Sequence, residues 1–201
     1  TVTGSTGAVD VNGAFTLSSG TLTAPTGPFT VSGNWAQTGG TFTPGTGTVT
    51  FDGAGTQTLN SGGSAFNALT HSGTGTLQLT TNALSVGGAF TNSAGTFDAN
   101  GLGTTVTGLA TVSGGTYQAK TATQTFNGGL TISGGTFTGS TGAVDVNGDL
   151  ALSSGTLTAP SGAFTVSGNW ARTGGTFTHN SGTVTLDGAD QTITGSTPFN
   201  N

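Results

Sequence analysis

A twenty-residue unit recurs through this chain and dictates what it can fold into. Thr136–Gly155 reads TFTGSTGAVDVNGDLALSSG, and Thr1–Gly20 reads TVTGSTGAVDVNGAFTLSSG. Nine full copies open on Thr1, Thr21, Thr41, Thr76, Thr96, Thr116, Thr136, Thr156 and Thr176. Their thirteenth position is always glycine: Gly13, Gly33, Gly53, Gly88, Gly108, Gly128, Gly148, Gly168 and Gly188. Turn residues in fixed slots of a short period mark a solenoid, in which each unit packs only on its neighbours.

Within a unit the apolar residues occupy slots two, nine, eleven and fifteen, and less strictly seventeen. The first copy supplies Val2, Val9, Val11 and Phe15; the second Leu22, Phe29, Val31 and Trp35; the third Phe42, Val49 and Phe51. From residue 136 the same slots hold Phe137, Val144, Val146 and Leu150, then Leu157, Phe164, Val166 and Trp170, then Phe177, Val184 and Leu186. A spacing of two is strand alternation. Glycines at slots seven, thirteen and twenty divide each unit into three short extended pieces, where they are expected to supply backbone angles that a Cβ forbids. The prediction is an all-β chain in which each unit makes one triangular coil of a parallel β-helix. Some ten coils then stack with their apolar residues in inward ladders, giving a rod roughly 45–50 Å long at ~4.8 Å per coil. Gln37 and Arg172 in slot seventeen suggest that the coil opens to solvent there.

The pattern departs from itself at 61–75, SGGSAFNALTHSGTG, which reads as a shortened coil with Phe66 and Leu69 turned inward. A longer repeat is superimposed: GSTGAVDVNG at 4–13 returns at 139–148, and FTVSGNWA at 29–36 returns at 164–171. Residues 1–201 therefore read as one continuous solenoid, a super-unit over 1–135 and a partial second copy over 136–201. The chain opens in mid-pattern, as a mature protein or a piece of a longer one would. No amphipathic segment offers itself as a cap, so open strand edges are expected to favour stacking on other copies.

Charged residues make up 4% of the chain, and Lys120 and Arg172 are its only Lys or Arg. With a net charge of −5, a basic face for nucleic acid or anionic lipid is excluded. There is no cysteine, and no apolar run approaches the roughly 20 residues of a membrane span. Asp145 and Asp149, like Asp187 and Asp190, are close in sequence but lack a neighbouring base or metal-ligand partner, and read as solvated carboxylates. His71 and His179 read as surface turn residues without a second ligand at metal-binding spacing. Neither catalysis nor a cofactor is expected. Trp35 and Trp170 share their slot with Phe15 and Leu150 and read as core. One surface pattern has a functional reading: Thr1, Thr3, Thr21, Thr23, Thr41 and Thr43, repeated by Thr136, Thr138, Thr156, Thr158, Thr176 and Thr178, form a Thr–apolar–Thr array of the kind that β-helical antifreeze proteins use. Threonine is also simply a favoured outward residue on any strand.

The segments GNWAQTGGTFTPGTGTVTFDGAGTQTL (33–59) and GNWARTGGTFTHNSGTVTLDGADQTIT (168–194) resemble the repeats of bacterial extracellular β-solenoids, the filamentous-haemagglutinin and autotransporter-like adhesins and matrix fibres. That resemblance implies a right-handed parallel β-helix, secretion to the bacterial cell surface, and a role as adhesin shaft or biofilm matrix filament. The expected partners are further copies of the chain, by head-to-tail or lateral contact. A glycan or a cell surface is the alternative.

Overall fold

Short strands with glycine at their ends cannot bury an apolar face alone, and this chain solves the problem by winding. The computed structural model describes residues 1–200. Their strands run from two to nine residues, and every pairing between them is parallel, with partners a lap apart in sequence. The result is a three-faced β-solenoid of about 10 turns, with no helix among the described residues.

On the second face, Val9 pairs with Phe29 and Phe29 with Val49. The column continues through Leu69, Phe90, Ala110, Leu130, Leu150 and Trp170. On the third face, Phe15, Trp35, Leu59 and Leu79 stack, and alongside them run Leu77, Phe97, Tyr117, Phe137, Leu157 and Phe177. These residues point inward because side chains alternate along a strand and every second residue here is apolar. Each fully buried Phe, Leu or Val contributes about 1.5–3 kcal/mol. Aromatic pairs add to it, among them Tyr117 stacked on Phe137 with ring centroids 5.0 Å apart.

Residues 61–75 do not close a lap of their own. Thr48–Phe51 pairs with Ala68–His71, and Gln57–Leu59 with Leu77–Leu79, each at the ordinary twenty-residue distance. The lap that leads into the irregular segment is longer than its neighbours, since Trp35 pairs with Leu59 while Val49 keeps the ordinary distance to Leu69. What changes at this point is the phase of the motif. Slot two lies on the first face in Val2, Leu22 and Phe42. Phe66 then sits on Phe42, their ring centroids 5.5 Å apart, and forms a parallel bridge with Val86, a slot-eleven residue. Val106, Phe126, Val146, Val166 and Leu186 carry the column onward. The motif restarts five residues early, about one face of a lap, so from Thr76 onward every slot has moved one face round the rod.

Two kinds of glycine hold the corners. At slot twenty most glycines are left-handed, as at Gly20 and Gly40 with φ of +77° and +67°, where a Cβ is penalised. The slot-thirteen glycines have no such φ, contrary to the expectation from sequence. A Cβ on Gly33 would collide with the Gly13 carbonyl of the lap before it, so the requirement there is close approach of successive backbones. The first and last laps are the exposed ones: Val2 and Val9 at one end and Ile193 at the other. Phe199 covers Trp170 and Phe177, with centroids 5.1 and 5.9 Å away.

Candidate functional surface

Outward positions are what a rod of this kind can offer, and they too form columns. On the second face Thr30, Thr50, Thr70, Thr91, Thr111 and Thr131 stand in one unbroken line. On the third, Thr76, Thr96, Thr116, Thr136, Thr156 and Thr176 do the same, beside Gln78, Asp98, Gln118, Thr138, Thr158 and Thr178. The first face carries Thr3, Thr23 and Thr43, with Thr1, Thr21 and Thr41 just before the inward residues. Farther along it stand Ser85, Thr105, Thr125, Asp145, Thr165 and Thr185. The two threonine sets that looked like repeats of one array therefore lie on different faces. The Thr30–Thr131 column escaped the sequence reading because it passes from slot ten to slot sixteen at the phase change.

The carboxylates fit into these columns. Asp52 and Asp187 each accept a hydrogen bond of 2.7 Å from the serine one lap earlier, Ser32 and Ser167. Asp145 accepts one of the same length from Thr165, and Asp149 accepts from the Asn169 backbone N–H. Asp98 takes the Gln78 amide at 3.1 Å and lies 3.7 Å from the Lys120 ammonium. These five carboxylates are thus tied to neighbouring laps. Among the described residues no three His, Asp or Glu side chains gather closely enough to hold a metal ion.

Several polar side chains that looked external point inward. His71 is fully buried in the column of Val31, Phe51 and Val112. Its Nδ1 lies 2.7 Å from Asn92 Oδ1, while Asn92 Nδ2 donates to the Gly114 carbonyl. Asn92 Oδ1 must accept, so His71 carries its proton on Nδ1 and leaves a lone pair on Nε2 with no protein partner. Burial holds this imidazole below its ordinary value of 6.5, against the opposing pull of the Asn92 hydrogen bond. Gln37 is buried as well, not opened to solvent, while Arg172 is half-buried. Gln57 acts as a staple: its Oε1 accepts from Gly53 N–H at 2.9 Å, and its Nε2 donates to the Val31 and Gly33 carbonyls at 2.9 and 2.7 Å. Gln191 repeats this arrangement on Gly188, Val166 and Gly168. Gln124 accepts from the Tyr117 hydroxyl at 2.6 Å, and burial pushes that phenol far up, so it remains neutral.

The Trp35 and Trp170 rings are buried, among Phe42, Phe51 and Phe66 for the first and Phe164, Phe177 and Phe199 for the second. His179 accepts from the Ser181 backbone N–H in a surface turn. Compared with known proteins, the chain matches no family model, no curated protein and no solved structure.

Proposed function

We propose that the chain is a structural shaft: a secreted β-solenoid of a bacterial cell surface that forms an extracellular filament or carries an adhesin. The observation that supports this reading is the run of inward columns that spans both copies of the motif, parallel-paired along the second face from Val9 to Trp170. A rod of this kind resists bending because successive laps are hydrogen-bonded along the second and third faces throughout, and along the first on either side of the phase change. Near-absence of charge removes the repulsion that would keep neighbouring rods apart. The resemblance to extracellular repeat adhesins points the same way. Negative-stain imaging of the native material tests it: long thin fibres, or long shafts on cells, are expected, and isolated short particles at every concentration would refute it.

A second reading rests on the third-face threonine columns, which offer two parallel rows of hydroxyls and methyls at Thr136, Thr156, Thr176 and Thr138, Thr158, Thr178. Such a surface suits ice. A thermal-hysteresis measurement decides it, and the absence of any freezing gap or crystal shaping removes this reading.

A further inference from the structure

Where residues 61–65 leave the lattice, a cleft of about 370 Å³ opens across three laps. Its lining includes Gln37, Thr38, Asn60, Thr81 and Asn82, with glycine backbone between them. All are uncharged and all can hydrogen-bond. The volume falls within the range of roughly 300–1,000 Å³ usual for small-molecule sites.

The buried member of this lining is Gln37, which is 4% exposed. Its Nε2 reaches the Gly40 carbonyl only at 3.5 Å, and its Oε1 has no partner in the protein. Two residues earlier on the same strand, Trp35 Nε1 is also unpaired. The second copy of the motif supplies an internal comparison. There Trp170 Nε1 donates to Thr197 Oγ1 at 3.0 Å. Arg172, at the position matching Gln37, donates to the Gly175 and Ser196 carbonyls, leaving only its Nε without a partner. The scaffold can therefore occupy this place with its own groups, and the first copy does not. Gly62 lets the irregular segment pass close over Gln37: a Cβ there would meet Gln37 Cγ at 2.7 Å and Cδ at 2.9 Å. Its backbone is also left-handed, with φ +59°.

We propose that this cleft binds a neutral, polyhydroxylated ligand, one or two sugar residues of a glycan. In the unliganded structure Gln37 Oε1 is sealed from the cleft; its amide is held only by the long bond to the Gly40 carbonyl and turns toward an entering ring hydroxyl, which then matches an otherwise unpaired buried acceptor. Asn60, Asn82 and the Thr38 and Thr81 hydroxyls line the rest of the cleft and meet the neighbouring hydroxyls. An anionic sugar finds no counter-charge there, and an apolar ligand finds no apolar side chain among those named. The site is independent of the shaft reading, since a rod can carry it whether or not it forms filaments.

The test is a titration of the isotopically labelled chain with neutral disaccharides covering glucose, galactose, mannose and N-acetylglucosamine, with glucose 6-phosphate as the charged comparator. At least one neutral sugar is expected to shift the Gln37 and Asn82 side-chain amide resonances saturably, at a Kd of about 1 mM or tighter. Gln37→Arg, which installs the second copy's residue, should weaken that binding by about ten-fold or more. Asn82→Ala, at the half-buried rim, should weaken it several-fold and keeps the test valid should the Gln37 variant fail to fold. No saturable shift with any neutral sugar overturns the proposal. So do equal shifts on all three faces, an equal response to the phosphate, and binding that survives both substitutions.

Discussion

Replacing Phe66 by alanine tests the claim that one aromatic rung joins the laps before the phase change to those after it. Phe66 is 1% exposed, and its ring centroid lies 5.2 Å from Trp35, 5.5 Å from Phe42 and 6.4 Å from Phe51. Its backbone forms the bridge to Val86. Truncating a buried Phe costs about 3–5 kcal/mol, and three aromatic neighbours, each worth roughly 0.5–1.5 kcal/mol beyond area, place this site near ~4 kcal/mol or above. Because a solenoid's stability is a sum over laps and their interfaces, the loss falls on one junction. The two tryptophans lie on opposite sides of it and can be read separately, in Trp35→Phe and Trp170→Phe backgrounds; phenylalanine already occupies that slot as Phe15 and Phe90. Urea unfolding followed by fluorescence should give coincident transitions for Trp35 and Trp170 when Phe66 is present. With Phe66→Ala, the Trp35 side should melt first and the Trp170 side should keep its midpoint. If both transitions stay together and move by less than about 1 kcal/mol, well below the core-truncation range, Phe66 is not the joining rung.

The corner glycines give a paired test: Gly33→Ala should destabilise by about 1–3 kcal/mol through overpacking, because its Cβ meets backbone. Gly13→Ala, with nothing within 4 Å, should be neutral or stabilise by up to ~1 kcal/mol; equal effects in thermal melts would discredit the close-approach account. Gln57→Ala leaves the Gly53 N–H and two carbonyls without their partner and should cost about 3 kcal/mol or more at ~1–3 kcal/mol per stranded group, measured by urea denaturation. His71 sets a pH dependence. Its folded value lies below 6.5, so the unfolded chain binds the proton more readily. Stability is then complete above about 6.5 and declines as pH falls below it, by at most ~1.4 kcal/mol per pH unit. Denaturant midpoints near pH 7.5 and pH 5 should differ in the parent chain and much less in His71→Gln; a flat parent profile would contradict the buried neutral imidazole.

The period and the inward slots were legible because burial imposes alternation, and alternation survives in the letters from Val9, Val11 and Phe15 to Phe164, Val166 and Trp170. What was hidden shares one cause. Space counts residues per lap, whereas the eye restarts the count wherever the motif restarts. Carrying the twenty-residue step from Phe51 straight through the irregular segment lands on His71, an inward position. Restarting at Thr76 makes the same histidine look like a turn. That error also merged two threonine sets that lie on different faces, and concealed the Thr30–Thr131 column. Gln37 was misplaced by a different assumption, that polar side chains face water, and the same assumption leaves the role of Gln57 unseen. Gln57 bonds to backbone groups of the adjacent lap, a partnership that no sequence pattern records.

The phase change also bears on what the rod can be used for. After 135 residues the motif returns on a neighbouring face, as Leu22 on the first face and Leu157 on the third show. A stripe built from one slot of the motif cannot run the length of one face, because its residues are handed sideways at the irregular segment; the Thr30–Thr131 column crosses that point only by changing slot. Inward columns suffer no such break, since Phe42, Phe66 and Val86 keep the core continuous while the outer pattern turns. A repeat that preserves its core and rotates its surface fits the shaft proposed above, since it presents much the same surface on every side. Any specific recognition then falls to local departures from the motif, and the cleft at Gln37, Gly62 and Asn82 lies at one of these.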